Sequence, residues 1–337
     1  MDDRARTWLE RGSFSTWCAA DREVQVFHLE TGPLDAPLLL LVHGFPTSSI
    51  DWYDVVDPLA QQYRVAVLDF PGYGFSEKPP DWPYSITLDA QLLHHHVVDV
   101  LGADRCRVVA HDRGDSVALL LHDRVARGEI DDLTLDHLVL SDGNIFLPLA
   151  SLTEFQKRVL DASQWTTVRE LVTPDALAAG IGTTTFTPPR EPDDPTIAAL
   201  ATTFAYADGT AVLHDTIQYL RERAAHEVTW LESLAASDVP ATVVWGVCDT
   251  VSPPRVATYV WERFLRAKPG SNELWLVPGA NHYLQNDRPD AFVEAVTQSL
   301  ERTGASAPGP VVNDAHAPVR VDHSSPRLPV AADTFVV

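Results

Sequence analysis

The 337-residue sequence predicts an α/β fold, a mostly parallel, doubly wound sheet carrying an inserted helical subdomain. Three observations lead there. Short, near-continuously apolar runs alternate with longer segments of helical period. That rhythm breaks between Ile145 and Leu234, and one apolar run passes straight into a helix through the pattern small-x-Asp-x-small. The runs at Val24–Leu29, Leu38–Val42, Val65–Leu68, Arg107–Ala110, His137–Leu140, Thr242–Trp245 and Glu273–Val277 read as strands. Strands buried on both faces lose the in-out alternation of a solvent-facing sheet, so unbroken apolarity points to parallel strands under two layers of helices. Ile86–Leu101, Ser116–Arg127, Pro254–Ala267 and Pro289–Arg302 carry apolar residues at the helical period and supply those layers.

Between Ile145 and Leu234 the pattern changes to helix-like patches at Ser151–Leu160, Ile197–Tyr206 and Leu213–Ala225, two Pro/Thr-rich loops and no strand. An insertion after the strand at His137–Leu140 would sit over the carboxyl ends of the strands. The expected organisation is an N-terminal arm over 1–20, a first core part over 21–143, a helical cap over 144–236, a second core part over 237–303 and a disordered tail over 304–337. Pro, Ala, Ser and Val follow no period in that tail.

Composition removes several partner classes. A formal charge of −22 argues against nucleic acid, which needs basic stripes, and against an acidic membrane surface. No apolar run approaches the roughly 20 residues of a membrane span, and Met1-Asp2-Asp3-Arg4 opens no signal peptide. Cys18, Cys106 and Cys248 form no CxxC pair and read as free thiols of a reducing compartment. The expectation is a cytoplasmic monomer or homodimer acting on a small molecule, without nucleic acid or membrane. His94-His95-His96 cannot converge on one ion, because helical neighbours point about 100° apart, and Gly72-x-Gly74 lacks the third glycine of a dinucleotide loop. No metal and no cofactor are expected.

Chemistry concentrates around Ala110-His111-Asp112-Arg113-Gly114, the layout of a nucleophile elbow, in which a sharp strand-to-helix turn lifts one side chain above the sheet. Small flanks are needed where strand and helix backbones approach closely. The plain alternative is an Asp favoured by a helix dipole, but three further segments fit the elbow. His43-Gly44-Phe45-Pro46 follows the strand Leu38–Val42, so the backbone N–H groups of Phe45 and Arg113 would form an oxyanion hole. Asp249 follows Thr242–Trp245, and His282 follows the last strand. Nucleophile, acid and histidine thus each lie beyond a strand's carboxyl end, where open α/β sheets gather ligands.

An Asp at the apex changes the reaction. A serine needs a base to remove its proton and suits acyl groups. A carboxylate is already ionised near neutrality, with a reference pKa of about 3.9, and suits displacement at saturated carbon. The product would be an alkyl ester of Asp112, cleaved by water that His282, oriented by Asp249, deprotonates. Asp115, in the first helical turn, reads as structural. The Arg113 side chain stays open between contributing only its amide and gripping a substrate carboxylate.

These segments, with His43–Tyr53, Arg64–Asp69, Gly72–Pro79, Leu140–Phe146 and Ile217-Gln218-Tyr219, resemble the α/β-hydrolase superfamily over residues 20–303. Within it they resemble the branch of epoxide hydrolases and haloalkane dehalogenases, and most closely its mesoderm-specific transcript protein subgroup. The resemblance implies a core-plus-cap hydrolase with the triad Asp112, His282 and Asp249, and offers Asp142 as the alternative acid, since some relatives place it after the preceding strand. Epoxide hydrolases protonate the opening oxygen with cap tyrosines, for which Tyr219 and Tyr206 are the candidates. Dehalogenases of this branch carry Trp where this chain has Arg113, so epoxide-type hydrolysis is preferred over carbon–halogen cleavage. A non-catalytic binding protein on the same fold is the rival of another class.

Overall fold

Each expected apolar run becomes a strand, and two further strands extend the sheet at its edges. The computed structural model describes residues 1–302 and 316–328. Its strands are β1 (Ser13–Ala19), β2 (Arg22–Thr31), β3 (Leu38–Val42), β4 (Arg64–Leu68), β5 (Arg105–His111), β6 (Thr134–Ser141), β7 (Ala241–Gly246), β8 (Glu273–Val277) and β9 (Val319–Val321). They form one sheet in the order β1-β2-β4-β3-β5-β6-β7-β8-β9. From β4 to β8 all neighbours are parallel, whereas β1, β2 and β9 join antiparallel at the two sides. Every residue of β3 and of β7 is buried. Leu40 pairs with Ala66 on one side and Val108 on the other, which is why that run carries no polar residue.

Single-turn segments aside, the helices are α1 (Asp3–Arg11), α2 (Ile86–His95), α3 (Arg113–Ala126), α4 (Glu154–Leu160), α5 (Ala162–Val168), α6 (Pro174–Thr185), α7 (Pro195–Ala205), α8 (Tyr219–Ala236), α9 (Pro254–Val260) and α10 (Pro289–Glu301). Helices α4 to α8 occupy the chain between β6 and β7, where the sequence predicts a cap. Their starts are written locally. Thr153 and Gln156 make a capping box for α4, Asp161 caps α5, and Thr173 and Asp194 cap α6 and α7, each followed by Pro at the first helical position. Helix α8 ties cap to core, since the Glu222 carboxylate accepts from the backbone N–H groups of Ile86 (2.8 Å) and Thr87 (3.1 Å) at the start of α2.

Two expectations are corrected at the ends. The arm over 1–20 is a capped helix followed by a full edge strand. In β1 only Trp17 is buried, so the run had no apolar signature to read. The tail expected to be disordered over 304–337 contributes β9, with Val321 buried against the sheet. The rest of that expectation, 304–315 and 329–337, lies outside the described residues. Among the described residues one stretch, Pro195–Thr216, has the length (22 residues) and mean hydropathy (1.2) of a membrane-crossing helix. Half of it is buried, and Ala207 and Asp208 take φ values of 49° and 58°, which interrupt it.

Helix α1 is packed rather than draped. Trp8 is fully buried, and its indole N–H donates to Ser49 Oγ at 3.0 Å. Replacing Trp8 by Ala leaves a cavity and an unpaired hydroxyl, and should lower the unfolding free energy by about 3–5 kcal/mol. Urea unfolding monitored by circular dichroism measures this, and a loss below about 1 kcal/mol would mean that α1 is not part of the folded core.

Candidate active site

The sheet reverses its winding between β3 and β5, because the chain runs outward from β3 to β4 on one side and from β5 to β6 on the other. Loops leaving neighbouring strands at such a point diverge and open a crevice. Both central pieces of the site leave from it. Asp112, between β5 and α3, sits at φ 52° and ψ −114°, a backbone state that a non-glycine residue adopts only when its surroundings impose it. On one side its N–H is held by Ser141 O (3.0 Å) at the end of β6, and on the other α3 begins at once. A Cβ on Gly114 would lie 2.4 Å from Val42 O, and one on Gly44 would lie 2.5 Å from Asp112 Cβ. The turn therefore needs glycine at both places.

The loop after β3 meets this apex directly. The Phe45 backbone N–H donates to Asp112 Oδ1 at 2.8 Å. His43 braces the loop: its Nε2 accepts from the Phe70 N–H at 3.1 Å, which leaves Nδ1 to donate to Gly44 O at 2.8 Å. Burial lowers the His43 pKa to about 3, so the ring stays neutral and serves as a strut. Arg113 opens α3, with its amide at the helix N-terminus beside Asp112.

Asp249 and His282 arrive from the turns after β7 and β8. Asp249 Oδ1 accepts from the N–H groups of Val251 (2.7 Å) and Ser252 (2.8 Å), while Oδ2 faces His282 Nδ1 at 3.0 Å. His282 Nε2 is then left 3.6 Å from Asp112 Oδ2, beyond hydrogen-bond reach but aimed at that carboxylate. Burial works against a charged His282, yet the charge and hydrogen bond of Asp249, followed by Asp112 and Asp51, raise its pKa above the ordinary 6.5. Of the two candidate acids, Asp249 is thus the one bonded to the imidazole. Asp142 accepts from the Gly246 N–H (2.8 Å) and braces the end of β7. Burial and then the neighbouring Asp249 push its carboxyl well up. Asp115 is likewise buried, accepting from the Ser141 N–H at 3.1 Å.

Of the long side chains near the apex, Arg113 finds a partner elsewhere and Tyr206 departs from expectation. The Arg113 guanidinium turns away from the apex into a buried ion pair with Asp89 of α2. It lies 5.3 Å from each of the Phe70, Tyr73 and Tyr219 rings, so it grips no substrate carboxylate. Tyr206 packs edge-on against Phe75 (5.1 Å) under the Lys78 ammonium (5.2 Å) and is absent from the site. Tyr219 stays beside the loop that meets Asp112. Its ring lies 5.9 Å from that of Phe45, and its buried hydroxyl has no hydrogen-bond partner among the described residues. Burial, and then the Asp112 charge, hold it firmly as a neutral phenol. The three neighbouring histidines also part: His94 pairs with Asp132 (2.6 Å), His95 with Asp99 (2.7 Å), and His96 packs on the His28 ring.

A cavity of about 580 Å³ opens between α4–α6 and the core loops, with Phe45, Val251, His282, Tyr283, Leu177 and Ile181 among its walls. Asp112 and Tyr219 are not among its lining residues but adjoin Phe45, through the amide hydrogen bond and the ring contact respectively. Three residues here escaped the sequence reading. Tyr283 adjoins His282, and that adjacency was the available signal. Asp89 and Arg223 had none. Arg223 comes from the cap and donates from Nε to Ser116 Oγ at 2.6 Å, with Nη2 3.4 Å from Asp112 O.

Comparison with known proteins agrees with this architecture. The chain is 34% identical over 273 residues to the putative hydrolase LipZ of Mycobacterium tuberculosis, covering 81% of this chain and 91% of that one. It is 29% identical over 295 residues to the mesoderm-specific transcript homolog protein of Bos taurus, covering 86% and 85% respectively. A shorter match to Epoxide hydrolase 1 of Caenorhabditis elegans is 36% identical over 99 residues, 29% of this chain and 24% of that protein. An alpha/beta hydrolase fold protein from Burkholderia ambifaria superposes with a TM-score of 0.68 at 26% identity, covering 84% of this chain and 97% of the other. With the profile of the alpha/beta hydrolase family matching residues 39–295 as well, the chain belongs to that family and is a hydrolase.

Proposed function

We propose that this hydrolase opens an epoxide on a small apolar substrate through an alkyl ester of Asp112. The observation that carries the reading is the hydrogen bond from the Phe45 amide to Asp112 Oδ1, with His282 Nε2 facing the other oxygen. The Asp112 carboxylate attacks the epoxide carbon, the carbon–oxygen bond breaks, and Tyr219 is placed to protonate the freed oxygen. His282 then removes a proton from water, the resulting hydroxide adds to Asp112 Cγ, and the charge developing on the carbonyl oxygen falls to the Phe45 and Arg113 amides. Collapse returns the carboxylate and releases a diol, and the proton taken up by His282 returns to the Tyr219 phenolate. The apolar walls of the cavity suit a hydrocarbon body.

Alkylation also tunes the base. While Asp112 is charged it helps to hold a proton on His282. Once it becomes a neutral ester that contribution vanishes, and the His282 pKa drops at the step where the imidazole must accept a proton. Carbon–halogen cleavage is the second reading. It lacks the halide-holding Trp after the nucleophile, since Arg113 is committed to Asp89. A purely binding role leaves the aligned Asp112, His282 and Asp249 without a purpose.

A single turnover in H₂¹⁸O with a panel of terminal aryl and alkyl epoxides should place label in the Asp112 carboxylate, read by peptide mass. Diol formation with Asp112 unlabelled would exclude the ester. His282→Gln should accumulate the ester and lose steady-state turnover by about 10³-fold or more. Tyr219→Phe should slow the alkylation step about 10²-fold while leaving ester hydrolysis largely intact, as separated by stopped-flow single turnover. In the free protein the His282 imidazole should titrate above 6.5. Asp112→Asn removes a charge that stabilises imidazolium, so the midpoint should move to lower pH, followed by the histidine C2–H resonance. An unchanged midpoint would refute the coupling.

A further inference from the structure

With Tyr206 outside the site, a second phenol stands in the cavity that the sequence did not nominate. Tyr283 is 2% exposed and lines the cavity beside His282 and Phe45. Its ring is stacked on Phe186 (centroids 5.0 Å, 10° between planes) and packed at a tilt on His111 (5.3 Å). Its hydroxyl lies 3.4 Å from Thr47 Oγ1, which in turn lies 2.5 Å from Asp51 Oδ2. Thr47 and Asp51 are themselves buried, at 1% and 3% exposure. Thr47 follows Phe45 by two residues, so one loop holds both the amide on Asp112 and the middle of this chain of hydroxyls.

We propose that Tyr283 is a second proton donor to the substrate oxygen, resupplied through Thr47 from the buried Asp51 carboxyl. The inference rests on the epoxide reading of the same site. Each member suits its place in the line. A hydroxyl accepts one hydrogen bond while donating another, so Thr47 can receive a proton from Asp51 as it passes its own to Tyr283. Burial pushes the Asp51 carboxyl well above its ordinary value. Thr47 and His282 act against that shift, while Asp69 and Asp112 reinforce it. That shift favours the acid form of Asp51, the form that can donate to Thr47. The Tyr283 phenol is held neutral by burial and next by Asp51. The long step between Tyr283 and Thr47 is of the kind that shortens in a reacting complex.

The atoms balance over a cycle. Attack by Asp112 breaks the carbon–oxygen bond and leaves the electron pair on the substrate oxygen. In a turnover where Tyr283 rather than Tyr219 supplies the proton, that oxygen takes the Tyr283 proton, Tyr283 takes that of Thr47, Thr47 takes that of Asp51, and Asp51 becomes a carboxylate. Hydrolysis of the ester regenerates the Asp112 carboxylate and releases one proton overall, which restores Asp51. Tyr283 touches substrate and is catalytic in this scheme; Thr47 and Asp51 are positioning and supply residues.

The test uses the full chain, the same epoxide panel and intact-protein mass spectrometry to time ester formation and ester loss separately. Tyr283→Phe keeps the ring stacked on Phe186. It should slow ester formation by about 30-fold or more while changing ester loss by less than about threefold. Thr47→Val should slow ester formation in the same selective way, and Thr47→Ser, which keeps the hydroxyl, should restore it to within about threefold of the parent. Ester formation at the parent rate in Tyr283→Phe overturns the inference while leaving the Asp112 ester standing. Equal slowing of both steps, or Thr47→Ser behaving like Thr47→Val, shows a packing role only and also overturns it. No ester in the parent protein with any epoxide overturns the epoxide reading and this inference with it.

Discussion

The backbone of Asp112 is the constraint from which the rest of the site follows. A turn at φ 52° and ψ −114° costs on the order of 1–3 kcal/mol for a residue with a side chain. It persists because β5, α3 and the loop after β3 all converge on it. Relaxing the turn would break the register of β5 with β3 and β6 or push α3 off the sheet. In return the carboxylate stands above the strand ends, with one oxygen on the Phe45 amide and the other toward His282. Gly44 and Gly114 are the two places where a single methyl group would block that convergence.

Holding a carboxylate at 2% exposure requires compensation nearby, and the molecule provides it in layers. The first is directional: backbone N–H groups point at Asp112 and at Asp249, so fixed dipoles meet part of each charge beside the imidazole of His282. The second is ionic and lies behind the apex, where Arg113 pairs with Asp89 and Arg223 reaches Ser116 and Asp112 O. Removing one partner of a buried pair strands the other at a cost of about 3–5 kcal/mol. Helix α8 thereby braces two places at once, the start of α2 through Glu222 and the backbone of Asp112 through Arg223. The third acts on the neighbouring carboxyls: burial raises the pKa values of Asp51, Asp115 and Asp142 and so disfavours their charged forms around one site.

Much of the fold was legible because its signals are local. An unbroken apolar run needs no partner to be recognised, and the Thr-Pro and Asp-Pro helix starts of the cap are complete within a few residues. Strands β1 and β9 were missed for the converse reason. An edge strand is paired on one side and half exposed, so its apolar content is set by its neighbour and not by a core of its own.

By itself the sequence located the segments that meet at the candidate site: the small residues around Asp112, the loop bearing Phe45, and Asp249 and His282 each one turn past a strand. Those positions are specified by strand ends, and strand ends are written in the chain. Tertiary structure alone decided which way the long side chains turn. Arg113 pairs with Asp89, 24 residues earlier, because α2 and α3 pack side by side and a buried guanidinium must find an anion. Tyr206 leaves the site and Tyr283 enters it for a similar reason, since an amphipathic ring goes where packing offers a slot and a polar partner. Such choices depend on distances between elements, which no local period records.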